Sequence, residues 1–229
     1  YLWLFDTHRF GCANYSKSFG CVQGDQISWY QRESQEIRNK YGEVPLHLAF
    51  FHIPVPEYMD LYNNFTFQGH FGEWVCCSMA GELFKSIKEQ NNIKALFAGH
   101  DHHNDFKGVY QGVELVYGKK TGYGGYGPYE GVQRGGRVII LSEKIGNKGE
   151  NIVSYEHYII QEDGKIDRQI RTRKRETPPQ EQCIPGNRDN PFIYVSITIS
   201  LIVINAFLLL RLIVRLIKAR SGKGIKFVE

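Results

Sequence analysis

The sequence predicts an α/β domain, because segments that favour strands alternate with segments that favour helices along the chain. Short apolar runs typical of buried strands end in loops, and two of these loops contain histidine. Segments with helix start signals or helical spacing of apolar residues lie between the runs. Closely spaced strands in the later part of the domain add antiparallel character.

The N-terminal part of the chain predicts two strands and one helix. Tyr1 to Phe5 is a short apolar strand, and the loop Asp6 to Gln23 is rich in Gly, Ser, Asn and Cys. Asp25 is a suitable N-cap for a helix that runs to about Asn39. Leu46 to Phe51 is a nearly continuous apolar run that stops at His52-Ile53-Pro54, which indicates a buried strand ending in a functional loop.

In the middle of the chain, the sequence predicts a loop, a helix and a strand. Glu57 to Gly69 is interpreted as an aromatic loop. Gly72 to Gln90 is interpreted as a helix, because its apolar residues recur at helical spacing, which favours packing in the core. Lys94 to Ala98 then predicts a strand that ends in the loop Gly99 to Asn104.

Four further strands close the predicted domain. Phe106 to Val109 and Val113 to Tyr117 flank a short turn, as in a hairpin. The segment Gly118 to Gly131 alternates glycine with tyrosine, and we interpret it as a tight rim of the site. It lacks the Lys-Ser/Thr and following helix of a phosphate-binding P-loop. Arg137 to Leu141 and Ile152 to Ile160 are the last two strands.

Composition divides the chain into four regions. Residues 1–160 form the domain, and residues 161–190 are polar and proline-containing, as in a stalk. Asn190 to Leu210 carries no charge, and about 20 apolar residues suffice to cross a bilayer as a helix. We therefore expect a transmembrane helix at 191–214 and a basic tail at 215–229. The alternative is a buried core helix, although the segment shows no polar face.

Charge is concentrated in the tail. Arg211 to Glu229 holds six Lys or Arg and one Glu, so the rest of the chain carries −1 of the total of +4. The positive-inside rule then predicts a cytoplasmic tail and an extracellular or lumenal domain on a single-pass membrane protein. The folded part has no basic excess, which argues against a nucleic-acid partner.

Glycosylation sequences and the cysteine content are consistent with an extracellular or lumenal domain. Asn14-Tyr15-Ser16 and Asn64-Phe65-Thr66 are acceptor sequences for N-glycosylation, although each alone is a common accident. The five cysteines fit an oxidising compartment, and Cys12 and Cys21 are candidates for a disulfide that closes a short loop. The other three cysteines are left unassigned.

Two strand ends that lead into histidine are the main candidates for chemistry. His52 follows the strand Leu46 to Phe51, while His100 and His102 follow Lys94 to Ala98 in the pattern Gly-His-x-His. Ligands bind where the strands of an α/β sheet end, and neutral imidazole is a common ligand of transition metals. A lone histidine at a strand end is usually an ordinary polar residue, but two such strand ends favour a metal site.

Four other residues are candidates for supporting roles. Glu57 and Asp105 are candidate acceptors that orient a ligand histidine, although ordinary loop carboxylates are an equally good interpretation. His103, in the Gly-His-x-His loop, and Tyr123, in the glycine-tyrosine segment, are candidates for contact with the substrate or with the ligands.

Three stretches resemble the calcineurin-like metallophosphoesterases: AFFHIPVPEY, AGHDHHNDF and YGKKTGYGGYG. The resemblance covers about residues 1–145 and is closest to the branch related to purple acid phosphatases. It implies a four-layer α/β/β/α sandwich with two metal ions, Fe, Zn or Mn. It also implies that His52 and His100 bind one ion and that His102 binds the other.

The remaining ligand motifs of that family do not occur in usable form. Asp6-Thr7-His8 has the residues of the family's Asp-x-His motif. However, it follows the strand that in this family leads toward the helix after the active site, so we reject it as a ligand motif. The chain also opens at Tyr1 within an apolar strand, so we expect a fragment that is inactive alone. We expect the full-length protein to hydrolyse phosphate esters by attack of metal-bound hydroxide.

Two other functions stay open at this point. A catalytically inactive membrane protein that keeps the fold as a binding or scaffold module is the main alternative. Intact carboxylate and asparagine ligands elsewhere would favour the enzyme, and substituted ones would favour the scaffold. Lipid phosphodiesterases related to acid sphingomyelinase share the Gly-His-x-His loop, but the HIPxPEY and TGYGGYG segments do not resemble that branch.

Overall fold

The computed structural model describes residues 1–12, 15–42, 46–77, 82–128, 130–147 and 151–173, together with residue 202 and residues 204–213. The chain divides into two units, Tyr1–Pro185 and Gly186–Glu229. The second unit contains a helical segment at 204–213. The first unit contains the strands and helices that position the histidines.

The elements of the first unit follow the predicted alternation at first and then become mainly strands. The strands are β1 (Leu2–Leu4), β2 (Phe10–Cys12), β3 (Tyr15–Phe19), β4 (His47–Phe50), β5 (Phe67–Gln68), β6 (Ile93–Ala98), β7 (Lys107–Tyr110), β8 (Val113–Tyr117), β9 (Gly135–Ile145), β10 (Asn151–Gln161), β11 (Ile166–Asp167) and β12 (Thr172–Arg173). The helices are α1 (Gly24–Tyr41), α2 (Glu57–Asn64) and α3 (Leu83–Gln90).

The main sheet has the strand order β1-β4-β6-β8-β7-β5-β12. Strands β1, β4, β6 and β8 run parallel, whereas β7, β5 and β12 add antiparallel pairs at the other side. Two smaller sheets are present, β11-β10-β9 and the hairpin β2-β3. Because β4 and β6 are parallel neighbours, the residues after them leave the sheet at the same edge.

Helices cover one face of the main sheet. Tyr30 of α1, together with Tyr58 and Tyr62 of α2, is fully buried in the core between the helices and the sheet. The Tyr58 hydroxyl donates to the carbonyl oxygen of Leu96 at 2.8 Å, so the polar end of this aromatic side chain is satisfied inside the core.

Strands β9 and β10 cover part of the opposite face. Leu48, Phe97 and Val116 of the main sheet are buried against partly buried Ile139 and Val153 of the second sheet. The predicted α/β fold is therefore confirmed in its coarse form. Of the four layers that the resemblance implies, the described residues form one helix layer and two sheet layers, the main sheet and β11-β10-β9.

Three element predictions are wrong, and the first is the loop Asp6 to Gln23, which contains the hairpin β2-β3. The segment Glu57–Asn64 is a helix rather than a loop, because Tyr58, Leu61 and Tyr62 are buried at the i, i+3 and i+4 spacing of one helix face. The predicted helix from Gly72 begins only at Leu83 within the described residues. Its expected first turns are not helical at 72–77.

Side chains from the loop after β6 explain why residues 72–77 are not helical. The Oδ1 atom of Asn104 accepts hydrogen bonds from the backbone N–H groups of Gly72 and Glu73, at 2.9 and 3.1 Å. The Oδ2 atom of Asp101 accepts from the backbone N–H of Cys76 at 3.1 Å. These tertiary bonds replace the ones that a helix would supply, and periodicity alone does not reveal them.

The segment that follows residue 160 is partly folded. Strands β11 and β12 lie within the predicted stalk 161–190, and β12 pairs with β5 of the main sheet. Gln169 is also buried and donates to the carbonyl oxygen of Asp105 at 2.8 Å. The described residues up to Arg173 are therefore packed on the domain; the rest of the predicted stalk, 174–190, lies outside the described residues.

The membrane and modification predictions fall largely outside the described residues. The predicted span 191–214 overlaps them only at residues 202 and 204–213, and the basic tail 215–229 is not among them. No helix in the described part of the chain is long and apolar enough to cross a bilayer. Asn14 also lies outside the described residues, whereas Asn64 is exposed at the end of α2.

The predicted disulfide is confirmed. Cys12 and Cys21 are bonded, with their Cα atoms 5.3 Å apart, and the bond ties the last residue of β2 to the segment that follows β3. Cys76 is also disulfide-bonded, and Cys77 is a free thiol.

Candidate metal centre

Three histidines meet at the carboxyl edge of the parallel strands. His52 follows β4, and His100 and His102 follow β6. The Nε2 atom of His52 lies 3.4 Å from the Nδ1 atom of His100. All three side chains line one cavity of about 200 Å³. The two loops predicted to form a common site are therefore brought together.

The local backbone fixes this approach. The Gly99 N–H donates to the His52 carbonyl oxygen at 3.0 Å and ties the two loops together where the strands end. His100 has a φ of 75°, in the left-handed region that non-glycine residues seldom occupy. The ring of Phe19 meets the His100 ring edge to face at 4.5 Å between centroids. The imidazole of His100 is thus oriented by both backbone and packing.

The environment favours neutral imidazoles. Burial lowers the pKa of His52 and of His102, and it lowers the pKa of His100 to about 4, with the neighbouring histidines adding to the effect. A neutral imidazole keeps a lone pair on one ring nitrogen, and this is the form that binds metals.

His102 is held in one tautomer by the loop after β8. Its Nδ1–H donates to the carbonyl oxygen of Tyr126 at 2.7 Å, so Nε2 carries the lone pair. The Tyr126 ring stacks on the imidazole at 4.2 Å, and the Tyr126 hydroxyl donates to the buried carboxylate of Glu73 at 3.0 Å. A methyl group built on Gly127 would lie 3.1 Å from the Cβ of His102, so glycine permits this close approach.

Asp101 separates the two histidines of the Gly-His-x-His loop and is directed inward. Its Oδ2 atom accepts a hydrogen bond from the Tyr117 hydroxyl at 2.6 Å, and the side chain is almost completely buried. Burial raises the pKa of Asp101 to about 8 despite these bonds. Asp101 therefore anchors the loop to β8 rather than adding a full negative charge to the cavity at neutral pH.

The structure places the four supporting candidates outside the lining of this cavity. Asp105 accepts from Lys119 Nζ at 2.5 Å and from the His70 N–H at 2.7 Å, so it fixes the loops and contacts none of the three histidines. Glu57 begins helix α2, and burial raises its pKa. His103 is buried, with its backbone N–H donating to Glu73 at 2.7 Å, and Tyr123 is exposed.

The rejected Asp6-Thr7-His8 motif is also outside the cavity lining. Asp6 and His8 are both largely exposed and contact each other at 3.6 Å. The Thr7 hydroxyl accepts a hydrogen bond from the backbone N–H of Ile53 at 3.2 Å, so it supports the loop that carries His52.

Sequence reasoning missed Glu73, Tyr126 and Lys120. Glu73 stands as a single acid within an aromatic stretch, which is a weak signal for a buried hydrogen-bond acceptor. Tyr126 lies in the glycine-tyrosine segment, where the glycines at 125 and 127 indicated a close backbone approach without revealing its target. Lys120 lines the histidine cavity.

The chain is similar to purple acid phosphatase-like proteins. Three relatives from Arabidopsis thaliana are named "Probable inactive purple acid phosphatase" 29, 28 and 14, at 28%, 36% and 33% identity. The matches cover 65%, 55% and 46% of this chain, but only 40%, 32% and 28% of the relatives' own lengths. No family model matches the chain, and no solved structure matches it.

Purple acid phosphatases generally bind two metal ions, so we asked whether the histidines fit such a role. In the described part of the chain, no group of three or more His, Cys, Asp or Glu side chains is already arranged to hold a metal ion. The paired nitrogens of His52 and His100 and the lone pair on His102 Nε2 nevertheless fit imidazole ligation. Carboxylates that would complete two sites are not among the side chains that line the cavity, apart from Asp101.

Proposed function

We propose that this chain supplies the histidine ligands of a metal-dependent phosphoesterase site. The approach of His52 Nε2 to His100 Nδ1, at 3.4 Å in a shared cavity, is the observation that supports the proposal most strongly. The two nitrogens can share one proton in a hydrogen bond, and their separation also allows both to bind one cation at the usual zinc–nitrogen distance of about 2.0–2.1 Å.

Each histidine has a defined part in the proposed site. His52 and His100 would hold one ion, and His102 would reach the other through Nε2, while Tyr126 and Glu73 keep its ring in place. Bound metal ions in such a site polarise phosphoryl oxygens and lower the pKa of a water molecule. Among the described residues, Asp101 is the one carboxyl side chain that lines the cavity, and it is bonded to Tyr117, so we expect the chain alone to bind metal without efficient turnover.

A cobalt or zinc titration of the chain tests the metal-binding part of the proposal. His100→Ala should weaken the metal affinity at least tenfold, because it removes one nitrogen of the closest pair. His8→Ala is the matched control, since His8 is exposed and lies outside the cavity lining, and it should bind metal as the wild type does. Equal affinities in all three proteins would contradict the assignment.

The test of phosphoesterase activity requires a form of the protein in which carboxylate side chains complete the two metal sites. In that form we expect metal-dependent hydrolysis of p-nitrophenyl phosphate, lost in His100→Ala and retained in His8→Ala. Turnover that is unchanged by His100→Ala would remove the catalytic role of the histidines.

A second candidate function is a metal-binding module without turnover. The names of the three relatives, "Probable inactive purple acid phosphatase", favour this alternative. The two candidates share the metal site and differ in chemistry. Metal binding that depends on His100 without p-nitrophenyl phosphate hydrolysis, in a form with intact carboxylate ligands, would select the non-catalytic module.

We also propose that the domain lies outside the cytosol, anchored by the apolar segment 191–214. The Cys12–Cys21 disulfide supports an oxidising compartment, and Asn64 is exposed as a glycan acceptor must be. Treatment with an endoglycosidase should reduce the mass of the wild type, and Asn64→Gln should remove one glycan. An unglycosylated domain that is protected from protease on intact cells would contradict this location.

A further inference from the structure

The loop that follows β8 brings a lysine to the histidine cavity. Residues 118–122 line the cavity of about 200 Å³ together with His52, His100 and His102. Lys119 and Lys120 are adjacent in this loop, but their environments differ. Lys119 is almost completely buried in an ion pair with Asp105, at 2.5 Å between Nζ and Oδ2, so its charge is balanced.

Lys120 is placed differently, on the open side of the loop. Within the described part of the chain, Lys120 forms no ion pair with a carboxylate, and its Nζ donates to the carbonyl oxygen of Gly124 at 2.5 Å. That bond uses one of the three N–H donors of an ammonium group. The side chain is partly exposed, so its remaining donors have access to a ligand in the cavity.

Gly125 keeps the space between Lys120 and His102 open. A methyl group built on Gly125 would lie 3.3 Å from Cε1 of His102 and 3.8 Å from Nζ of Lys120. The ammonium and the imidazole therefore flank one position that no side chain occupies. The φ of Gly125 is +70°, which also disfavours other residues there.

We propose that Lys120 is a phosphate-binding residue of this site, donating hydrogen bonds to a non-bridging oxygen of a phosphoryl group next to His102. This inference rests on the proposed function and adds a substrate contact that the histidines do not provide. The cavity lining has one carboxyl group, Asp101, and its Oδ2 atom already accepts hydrogen bonds from the Tyr117 hydroxyl and the Cys76 backbone N–H. A cation that faces this lining favours a dianionic group, and charge-assisted bonds to phosphate are strong.

Titration of inorganic phosphate into the zinc-loaded chain, with heat as the signal, tests this role. Lys120→Met should weaken phosphate binding about tenfold, and Lys120→Arg should retain most of it. Lys165→Met is the matched control, because it removes the same charge at an exposed residue. Lys165 pairs with Asp163 and lies outside the cavity lining. Zinc affinity, measured separately, should be the same in all four proteins.

The possible results separate this inference from the proposed function. Equal phosphate affinities in Lys120→Met and Lys165→Met, with zinc bound normally, would overturn the role of Lys120 and leave the metal site standing. If zinc binding depends on His100 but the wild type shows no measurable phosphate binding, the role of Lys120 is also overturned and the metal site still stands. A wild-type chain that binds no zinc would instead remove the proposed function and, with it, this inference.

Discussion

At the residue scale, burial disfavours the charged form of His47. His47 begins β4, is almost completely buried, and its Nδ1 accepts a hydrogen bond from the Trp3 indole at 3.0 Å. Burial is the main cause that lowers the pKa of His47 to about 4. The unfolded chain then takes up a proton near pH 6.5 before the folded chain does, so stability is lost as pH falls from about 6.5 towards 4.

A comparison of wild type with His47→Gln measures this effect. We expect the free energy of unfolding of the wild type to fall by roughly 1–3 kcal/mol more than that of His47→Gln between pH 7 and pH 4. Urea unfolding at several pH values gives both slopes. Parallel slopes for the two proteins would show that His47 is not held neutral by the fold.

At the element scale, Arg137 is one of the side chains that connect the main sheet with the sheet β11-β10-β9. Arg137 of β9 donates to the carbonyl oxygens of Tyr117 and Asp105, at 2.7 and 3.0 Å, and to Gln169 at 2.8 Å. It also contacts the ring nitrogen of His157 on β10 at 2.9 Å. We expect Arg137→Met to lower the free energy of unfolding by about 2–3 kcal/mol, because several buried acceptors lose their donor.

Arg168→Met is the control for the loss of an arginine. Arg168 is exposed, forms a long ion pair with Glu156 at 3.8 Å, and lies over the ring of Tyr158 at 5.2 Å. Its replacement should change the free energy of unfolding by less than about 0.5 kcal/mol in the same urea experiment. Equal losses in both variants would show that Arg137 does not join the sheets.

Local patterns in the sequence were sufficient for the long apolar strands and the β7-β8 hairpin, but not for the short strands β2, β3 and β5 or for the segments that tertiary contacts control. The apolar runs at β4 and β6 and the hairpin β7-β8 were predicted close to their observed bounds, because burial on both faces or a short turn leaves a clear pattern. Residues 72–77 were wrongly predicted as helix. The hydrogen bonds that Asn104 and Asp101 accept from this segment come from a loop distant in sequence, so the local pattern does not reveal them. The convergence of His52 with His100 could be predicted, since parallel strands end at one edge, whereas the contacts of Tyr126 and Lys120 depend on the path of a glycine-rich loop.

At the scale of the whole molecule, the compact unit extends beyond the predicted boundary at residue 160. The unit Tyr1–Pro185 includes Gln169, which bridges Asp105 and Arg137, and β12, which extends the main sheet. A chain ending at residue 185 should therefore keep the near-UV circular dichroism and the melting temperature of the domain. A chain ending at residue 160 should lose several degrees or fail to fold, because it removes these contacts. Identical melting temperatures of the two chains would show that the domain ends at residue 160.

The central claim is that three imidazoles from two loops line one cavity that binds a pair of metal ions. Zinc-edge anomalous diffraction from crystals of the chain grown with zinc tests it most directly. The account predicts an anomalous peak about 2.0–2.1 Å from ring nitrogens of both His52 and His100, with His102 directed into the same cavity. Fully occupied zinc bound elsewhere, with these three rings turned apart, would contradict it.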